Sequence, residues 1–120
     1  MGYFLKKGQA AKNLLILTYK RSARLKNMIF ELDEDTFFGL TKKVCFYCKK
    51  KPYKKVSKSW PDRNLNGDYT YNGIDRKNND MGYTINNCVS CCSKCNYLKG
   101  SLNYKEFINH VKLINKYIGK

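Results

Sequence analysis

The chain has 120 residues, which is enough for one domain and leaves little room for a second hydrophobic core. It carries 24 lysine and arginine residues against nine acidic ones, for a formal net charge of +15. No segment is apolar over the length of a membrane-spanning helix and none has the pattern of a secretory signal, so we expect an intracellular protein of the cytoplasm or nucleus, without a membrane partner. So basic a chain attracts polyanions, which makes nucleic acid the first partner to consider; the alternative is charge that serves solubility alone.

The first predicted element is a basic helix over residues 9–27, where lysine and arginine alternate with apolar residues at helical spacing. Its apolar residues are expected to share one buried side: Leu14, Ile16, Leu17, Tyr19 and Leu25. Residues 28–32 predict a short strand. Asp33 then caps a second helix over 34–42, because an aspartate before a helix accepts hydrogen bonds from the free N–H groups of its first turn. The core side of this helix is Phe37, Phe38 and Leu40.

A lysine-rich insertion is predicted in the middle of the chain. Residues 49–58 contain six lysines, and residues 57–70 are polar and rich in turn-forming residues. The lysines are either a solvated loop or contacts to backbone phosphates.

Short strands over 71–75 and 88–90 follow the insertion, and a helix over 92–99 ends at Gly100. Asn103 and Glu106 form the pattern of a capping box, which predicts the start of a C-terminal helix. The apolar stripe of that helix has helical spacing: Phe107, Val111, Ile114 and Ile118.

Two pairs of cysteines have the spacing of zinc ligands. Cys45 and Cys48 form one C-x-x-C pair, and Cys92 and Cys95 form another. Zn²⁺ prefers four soft ligands at tetrahedral corners, and a two-residue spacer lets both sulfurs of a pair reach one ion. In a reducing compartment such pairs indicate a structural zinc site rather than disulfides.

Cys88 and Cys91 form a third pair with the same spacing. Side chains alternate along a strand, so these two cysteines should not point at one ion, and we interpret them as small buried apolar residues. A ligand set that uses Cys88 and Cys91 in place of one of the other pairs is the alternative.

The second half of the chain carries a longer pattern, which reads NGIDR over 72–76, GY over 82–83 and NCVSCCSKCNYLK over 87–99. This pattern resembles the HNH endonuclease family, also called ββα-metal or His-Me finger nucleases, in a version found in small proteins of phages and other viruses. The resemblance implies an α+β fold, with a small zinc-stapled ββα-metal core, a basic N-terminal helix and a C-terminal helix. We expect one compact domain, in which a helical segment (1–44) packs on the core (45–100, with the insertion at 49–70) and the last helix lies in 101–120.

The resemblance also implies roles for single residues. Asp75 and Asn96 correspond to the ligands of a catalytic divalent cation, Mg²⁺ or Mn²⁺, and Asn87 to the asparagine whose amide holds the loop. Lys99 lies where the family often has a basic residue near phosphate.

One position departs from the family pattern. The histidine that acts as general base follows the aspartate in the family, and this chain has Arg76 there. A guanidinium cannot accept a proton at physiological pH, but it can pair with a phosphate and stabilise developing charge. A metal-bound water, Tyr71 or Tyr83 is the candidate substitute base, and His110 in the C-terminal helix is interpreted as a surface or packing residue.

The sequence therefore predicts a metal-dependent HNH-type endonuclease that hydrolyses DNA phosphodiester bonds, with DNA favoured over RNA. The alternative is a zinc-containing nucleic-acid-binding protein of the same fold that is catalytically weak or inactive; a zinc-stapled protein with an acidic protein partner is a third hypothesis. The residues expected to contact nucleic acid are basic: Arg21, Arg24, Lys54, Lys55, Arg76, Lys77, Lys94 and Lys99.

Overall fold

A computed structural model describes residues 6–56 and 67–119 of the chain. These residues form a small α+β fold in which helices flank two short antiparallel sheets. The helices are α1 (Gln9–Leu25), α2 (Glu34–Lys42), α3 (Ser93–Lys99) and α4 (Tyr104–Ile118). The strands are β1 (Lys54–Val56), β2 (Tyr69–Tyr71), β3 (Gly73–Arg76) and β4 (Cys88–Cys91).

Helix α1 forms close to its predicted bounds, and its buried face agrees with the prediction in part, since Ile16 is buried and Tyr19 packs against the core. The buried residues are Ala11, Leu15, Ile16 and Ala23. Leu17 and Leu25 are 60% and 73% exposed, so their prediction as core residues was wrong. The positions that pack against the protein recur about every four residues, and two of them are alanine. Alanine is a weaker signal of burial in a sequence than the larger leucines at the neighbouring positions.

Helix α2 begins and ends as predicted. Oδ1 of Asp33 accepts a hydrogen bond from the Thr36 N–H at 2.8 Å, and Phe37 is fully buried. The predicted strand over 28–32 was wrong, because this segment makes only an isolated parallel bridge between Phe30 and Tyr83. Gly82 lets the two segments approach this closely, since a Cβ there would lie 2.6 Å from the carbonyl oxygen of Ile29.

The predicted strand over 71–75 is two strands that belong to different sheets. β2 pairs with β1, with Lys54 opposite Tyr71, whereas β3 pairs with β4, with Arg76 opposite Cys88. The chain changes sheets at Asn72, whose N–H donates to the carbonyl oxygen of Thr41 at 2.9 Å. The β1–β2 hairpin was not predicted, and residues 57–66 of the expected insertion lie outside the described part of the chain.

The main core lies between α1, α2 and the β3–β4 sheet. Its buried members are Leu15, Ile16, Ala23, Leu32, Phe37, Tyr71, Ile74, Tyr83 and Cys88. Tyr19 packs edge-on against Phe37, with ring centroids 5.4 Å apart, and its hydroxyl accepts a hydrogen bond from the Ile74 N–H. The burial predicted for Cys88 and Cys91 is confirmed, since they are 6% and 1% exposed.

Helix α4 meets the rest of the fold near its first turn. Phe107 is buried and packs edge-on against Tyr47, with ring centroids 5.3 Å apart. The helix itself was predicted, but Val111, Ile114 and Ile118 of its apolar stripe are 44% to 76% exposed. Within the described ranges, no helix combines the length and the hydropathy needed to cross a bilayer.

Candidate metal centre and adjoining site

Four cysteines from two distant parts of the chain meet in one cluster: Cys45, Cys48, Cys92 and Cys95. Their sulfur atoms all lie within 4.8 Å of one another, and the Sγ atoms of Cys48 and Cys92 are 3.7 Å apart. Four thiolates bound to one Zn²⁺ at about 2.3 Å would be about 3.8 Å apart along each edge of a tetrahedron. The cluster therefore fits a structural zinc ion, and the ligand set built on Cys88 and Cys91 is not the one that the fold assembles.

Local backbone geometry prepares each cysteine pair for a metal. In the first pair, the Lys49 N–H donates to the Cys45 carbonyl oxygen at 2.9 Å, and Lys49 has a φ of 66°, which closes the turn. In the second pair, Cys92 is the N-cap of α3, and its sulfur accepts a hydrogen bond from the Cys95 N–H. The Phe46 N–H also donates to the Ser90 carbonyl oxygen at 2.8 Å, which ties the first pair to strand β4.

The environment of Cys45 favours a thiolate. Burial by itself raises the pKa of this thiol, but the backbone N–H groups of Cys48, Cys92 and Tyr47 stabilise the charged sulfur, and the resulting pKa is lowered to about 6. A thiolate is the form that binds zinc, so this sulfur is prepared for a metal near neutral pH.

Asp75 lies on strand β3, is buried, and contacts Tyr47, the residue between Phe46 and Cys48 in the first cysteine pair. Its Oδ1 is 3.2 Å from the Lys99 ammonium, and its Oδ2 accepts a hydrogen bond from the Tyr47 hydroxyl at 2.6 Å. Lys99 is completely enclosed and also donates to the Arg76 carbonyl oxygen at 3.2 Å. The expected surface contact of Lys99 with phosphate is therefore not available in this conformation, because its ammonium is used inside the fold.

A small polar cavity of about 210 Å³ opens between β3 and α3. Asp75, Arg76 and Asn96 all line it, so the fold brings three of the four expected catalytic residues to one place. Tyr83, a candidate substitute base, also lines it. So do Tyr19, Lys26 and Asn79, which the sequence did not mark as site residues. Lys26 follows the last turn of α1 and had no motif to mark it.

Asn87 does not line the cavity and instead holds the loop between β3 and β4. Its Oδ1 accepts from the Asn78 N–H at 2.9 Å, and its Nδ2 donates to the carbonyl oxygens of Asn78 and Gly82 at 3.1 and 3.0 Å. The amide of Asn87, just before β4, therefore holds both the start of the loop at Asn78 and its middle at Gly82.

Arg76 is partly engaged in the same loop. Its Nη1 donates to the carbonyl oxygens of Asn79 and Met81, and its guanidinium lies 5.4 Å from the ring centroid of Tyr83. Burial raises the pKa of Tyr83, although Arg76 counteracts part of this effect. Tyr83 therefore keeps its proton at neutral pH, which does not favour it as a substitute base; Tyr71 does not line the cavity.

The remaining basic residues of interest lie mostly at the surface. Five of them are exposed: Arg21, Arg24, Lys54, Lys55 and Lys94. Lys77 is half-buried, with its ammonium 5.4 Å from the ring centroid of Phe46 and 5.7 Å from that of Tyr104. His110 is exposed on α4, outside the cavity.

Comparison with known proteins gives two likenesses, and no protein-family model matches the chain. The uncharacterized protein R423 of Acanthamoeba polyphaga mimivirus is 39% identical over 92 residues, which is 77% of this chain. The match covers only 14% of the viral protein, so the chain spans about one-seventh of the length of this relative.

The second likeness is to a solved structure of the rare-cutting HNH restriction endonuclease PacI. The two structures superpose with a TM-score of 0.59, over 88% of this chain and 77% of PacI, at 16% sequence identity. The predicted fold class is confirmed by this likeness together with the cysteine cluster: the chain is a small α+β protein with an HNH-like fold and a site that suits zinc.

Proposed function

We propose that this chain is a zinc-containing, metal-dependent endonuclease domain that hydrolyses phosphodiester bonds in DNA. The observation that carries the proposal is the polar cavity that Asp75, Arg76 and Asn96 share in an HNH-like fold; Asn96 directly follows Cys95 of the cysteine cluster. The mimivirus relative supports a viral setting for such a domain.

Asp75 and Asn96 would hold the catalytic cation. A carboxylate and an amide oxygen are the hard donors that Mg²⁺ and Mn²⁺ prefer, and Mg²⁺ commonly keeps several waters and takes only one or two carboxylates from a protein. Each oxygen of Asp75 already has one partner, but a carboxylate has about four acceptor positions, so room remains. When bound, such an ion lowers the pKa of a coordinated water and offsets charge on the phosphate. Because the Lys99 ammonium repels a cation, we expect weak metal affinity.

We assign Arg76 to the phosphate rather than to proton transfer. Its Nη1 is occupied by loop carbonyls, and its other nitrogens make no hydrogen bond to residues 6–56 or 67–119, so they can donate to a phosphate oxygen. Burial raises the pKa of Tyr19, as it does for Tyr83, so neither tyrosine accepts a proton at neutral pH. Loss of a general base lowers a rate by about 10² to 10⁴, so we expect slow cleavage.

The exposed basic residues would hold the flanking nucleic acid. Arg21, Arg24, Lys54, Lys55 and Lys94 offer contacts to phosphate, which position a protein without reading the sequence. The logarithm of the affinity should then fall linearly with the logarithm of the salt concentration, with a slope of about −0.9 for each phosphate neutralised. Competition between duplex DNA and RNA of one sequence tests the preference for DNA.

A second candidate function is nucleic-acid binding without cleavage. The buried ion pair between Asp75 and Lys99 favours it, because the ammonium already neutralises the carboxylate that a catalytic cation would need. The same surface would bind nucleic acid in either case, so only cleavage separates the two functions.

The test is a nicking assay on supercoiled plasmid with zinc-loaded protein and Mg²⁺, Mn²⁺ or Ni²⁺. The variants are Asp75→Asn, which removes the charge at nearly constant volume, and Asp35→Asn, which makes the same change at an exposed position of α2. We expect nicking by the parent and by Asp35→Asn, and a loss of at least about 100-fold for Asp75→Asn.

The assay has two controls. Zinc content and the melting temperature show whether Asp75→Asn is still folded, and Asn96→Ala repeats the test at an exposed position where folding is not at risk. DNA retention without nicking in all three metals would overturn the endonuclease and favour the binding protein.

A further inference from the structure

Each of the two zinc-binding segments sends one side chain to the same carboxylate. Tyr47 lies between Cys45 and Cys48, and its hydroxyl donates to Oδ2 of Asp75 at 2.6 Å. Lys99 lies at the end of α3, the helix whose first turn carries the second cysteine pair, and its ammonium is 3.2 Å from Oδ1. We call these three residues, Tyr47, Asp75 and Lys99, the carboxylate clamp.

The two arms of the clamp differ in what they contribute. Lys99 is fully enclosed, so its ammonium is part of the packing between β3 and α3 and its removal threatens the fold. Tyr47 is half-buried, and its ring packs against Phe46, Tyr104 and Phe107. These ring contacts do not involve its hydroxyl. The hydroxyl of Tyr47 is therefore separable from the packing of its ring, and its sole polar contact among the described residues is Asp75.

We propose that Tyr47 is a positioning residue that orients the Asp75 carboxylate for a divalent cation, so that the zinc site fixes the geometry of the neighbouring cavity as well as the fold. This inference rests on the proposed function, because it assigns the cation to Asp75. A carboxylate on a short side chain can rotate about its last bond, and a hydrogen bond to one oxygen determines which lone pairs face the cavity. Partners of this kind behind a metal ligand commonly change metal affinity or activity by about 10- to 100-fold when they are removed.

The clamp also gives a reason for the position of the tyrosine within the metal-binding turn. The Cys45 N–H donates to the Lys50 carbonyl oxygen, and the Phe46 N–H donates to strand β4, so the backbone on both sides of Tyr47 is fixed once the turn has formed. A hydroxyl carried by a turn that the metal closes has little freedom of its own. Zinc would therefore determine where Oδ2 of Asp75 is held.

The test compares Tyr47→Phe with Tyr104→Phe. Tyr104 belongs to the same aromatic group, with its ring centroid 6.2 Å from that of Tyr47, and its hydroxyl makes no hydrogen bond to other residues of the described ranges. Both variants lose one hydroxyl from one cluster, and only the first loses a contact to Asp75. Binding of Mn²⁺ to zinc-loaded protein is measured by electron paramagnetic resonance, together with kcat and KM for nicking, zinc content and melting temperature.

We expect Tyr47→Phe to keep its zinc and to bind Mn²⁺ about 10- to 100-fold more weakly than the parent. Its kcat should fall with an unchanged KM for DNA, whereas Tyr104→Phe should match the parent in every measurement. Equal Mn²⁺ affinity for the two variants would overturn the clamp and leave the endonuclease standing. Loss of zinc from Tyr47→Phe would overturn it too, because the hydroxyl would then have a structural role.

The remaining outcomes separate the clamp from the enzyme. A parent protein that binds Mn²⁺ without nicking DNA overturns the endonuclease, and the clamp is then decided by Mn²⁺ affinity alone. A parent protein that neither binds Mn²⁺ nor nicks DNA overturns both.

Discussion

The ammonium of Lys99 lies 3.2 Å from Oδ1 of Asp75, inside the protein, with the lysine side chain completely enclosed and the aspartate 5% exposed. Lysine is almost never fully buried without a charged partner, so the pair has to form when β3 and α3 pack together. Lys99 ends the helix that begins at Cys92 of the cysteine cluster, and Asp75 lines the polar cavity. The ion pair therefore bears both on the stability of the fold and on the chemistry of the cavity.

Removal of either partner should destabilise the fold more than removal of both. Lys99→Met or Asp75→Asn leaves one buried charge without its partner, for which we expect a loss of about 3–5 kcal/mol in the free energy of unfolding. The double variant leaves no unpaired charge, so it should lose less stability than either single variant. Urea unfolding of all four proteins with zinc present measures this; additive losses would show that the two groups do not interact.

The cysteine cluster predicts one zinc ion per chain, bound by Cys45, Cys48, Cys92 and Cys95 and not by Cys88 or Cys91. Cys92→Ser should lose zinc and unfold, because a structural zinc site contributes on the order of 10 kcal/mol to the folding of a small domain. Cys88→Ala should keep its zinc, since Cys88 belongs to the apolar core. Elemental analysis measures the zinc content of both variants, and circular dichroism measures their folding. Zinc loss from Cys88→Ala would indicate the alternative ligand set that contains Cys88 and Cys91.

The buried tyrosines predict a loss of stability in alkali. Burial raises the pKa of Tyr19, Tyr69 and Tyr83, whereas the same groups titrate near 10 in the unfolded chain. Above about pH 10 the unfolded state therefore holds fewer protons than the native state, and stability falls as the pH rises; below that value this contribution is complete. Unfolding free energies at about pH 8 and pH 11 test the sign. Tyr69→Phe should reduce the fall, and Tyr97→Phe, at an 86% exposed position, should not change it.

Substitutions along the apolar stripe of helix α4 should differ strongly in their effect on the free energy of unfolding. Phe107→Ala should destabilise the protein by about 3 kcal/mol, because this ring is buried against Tyr47. Val111→Ala and Ile114→Ala should change stability by less than about 0.5 kcal/mol, because both side chains are more than 40% exposed. Thermal unfolding measures all three; a large loss at Ile114 would mean that the stripe is covered in solution.

The parts of the structure that the sequence predicts are those with a local signal. Asp33 marks the start of α2 by a cap that needs only the next three residues. The two cysteine pairs predict their own metal cluster, because a two-residue spacer lets both thiolates of a pair reach one ion. The motif around Asp75 and Asn96 also predicts that the two residues approach each other, since it carries the strand and the helix in a fixed order, and both residues line one cavity.

The parts that were missed depend on contacts between distant segments. Leu17 and Leu25 look like core residues in the sequence, and only the packing of α1 shows that Ala11 and Ala23 belong to the buried face in their place. The buried position of Lys99 follows from Asp75, 24 residues away, and nothing in the neighbourhood of Lys99 distinguishes it from a surface lysine. Tyr47 belongs to no motif, and only the folded structure shows that its hydroxyl contacts Oδ2 of Asp75.

An anomalous-scattering map from crystals of zinc-loaded protein soaked in Mn²⁺ would locate both metals. We expect a zinc peak among the sulfur atoms of Cys45, Cys48, Cys92 and Cys95. We also expect a separate manganese peak in contact with both Asp75 and Asn96. A map without zinc in the cysteine cluster, or with manganese bound elsewhere and none between Asp75 and Asn96, would contradict the proposed function.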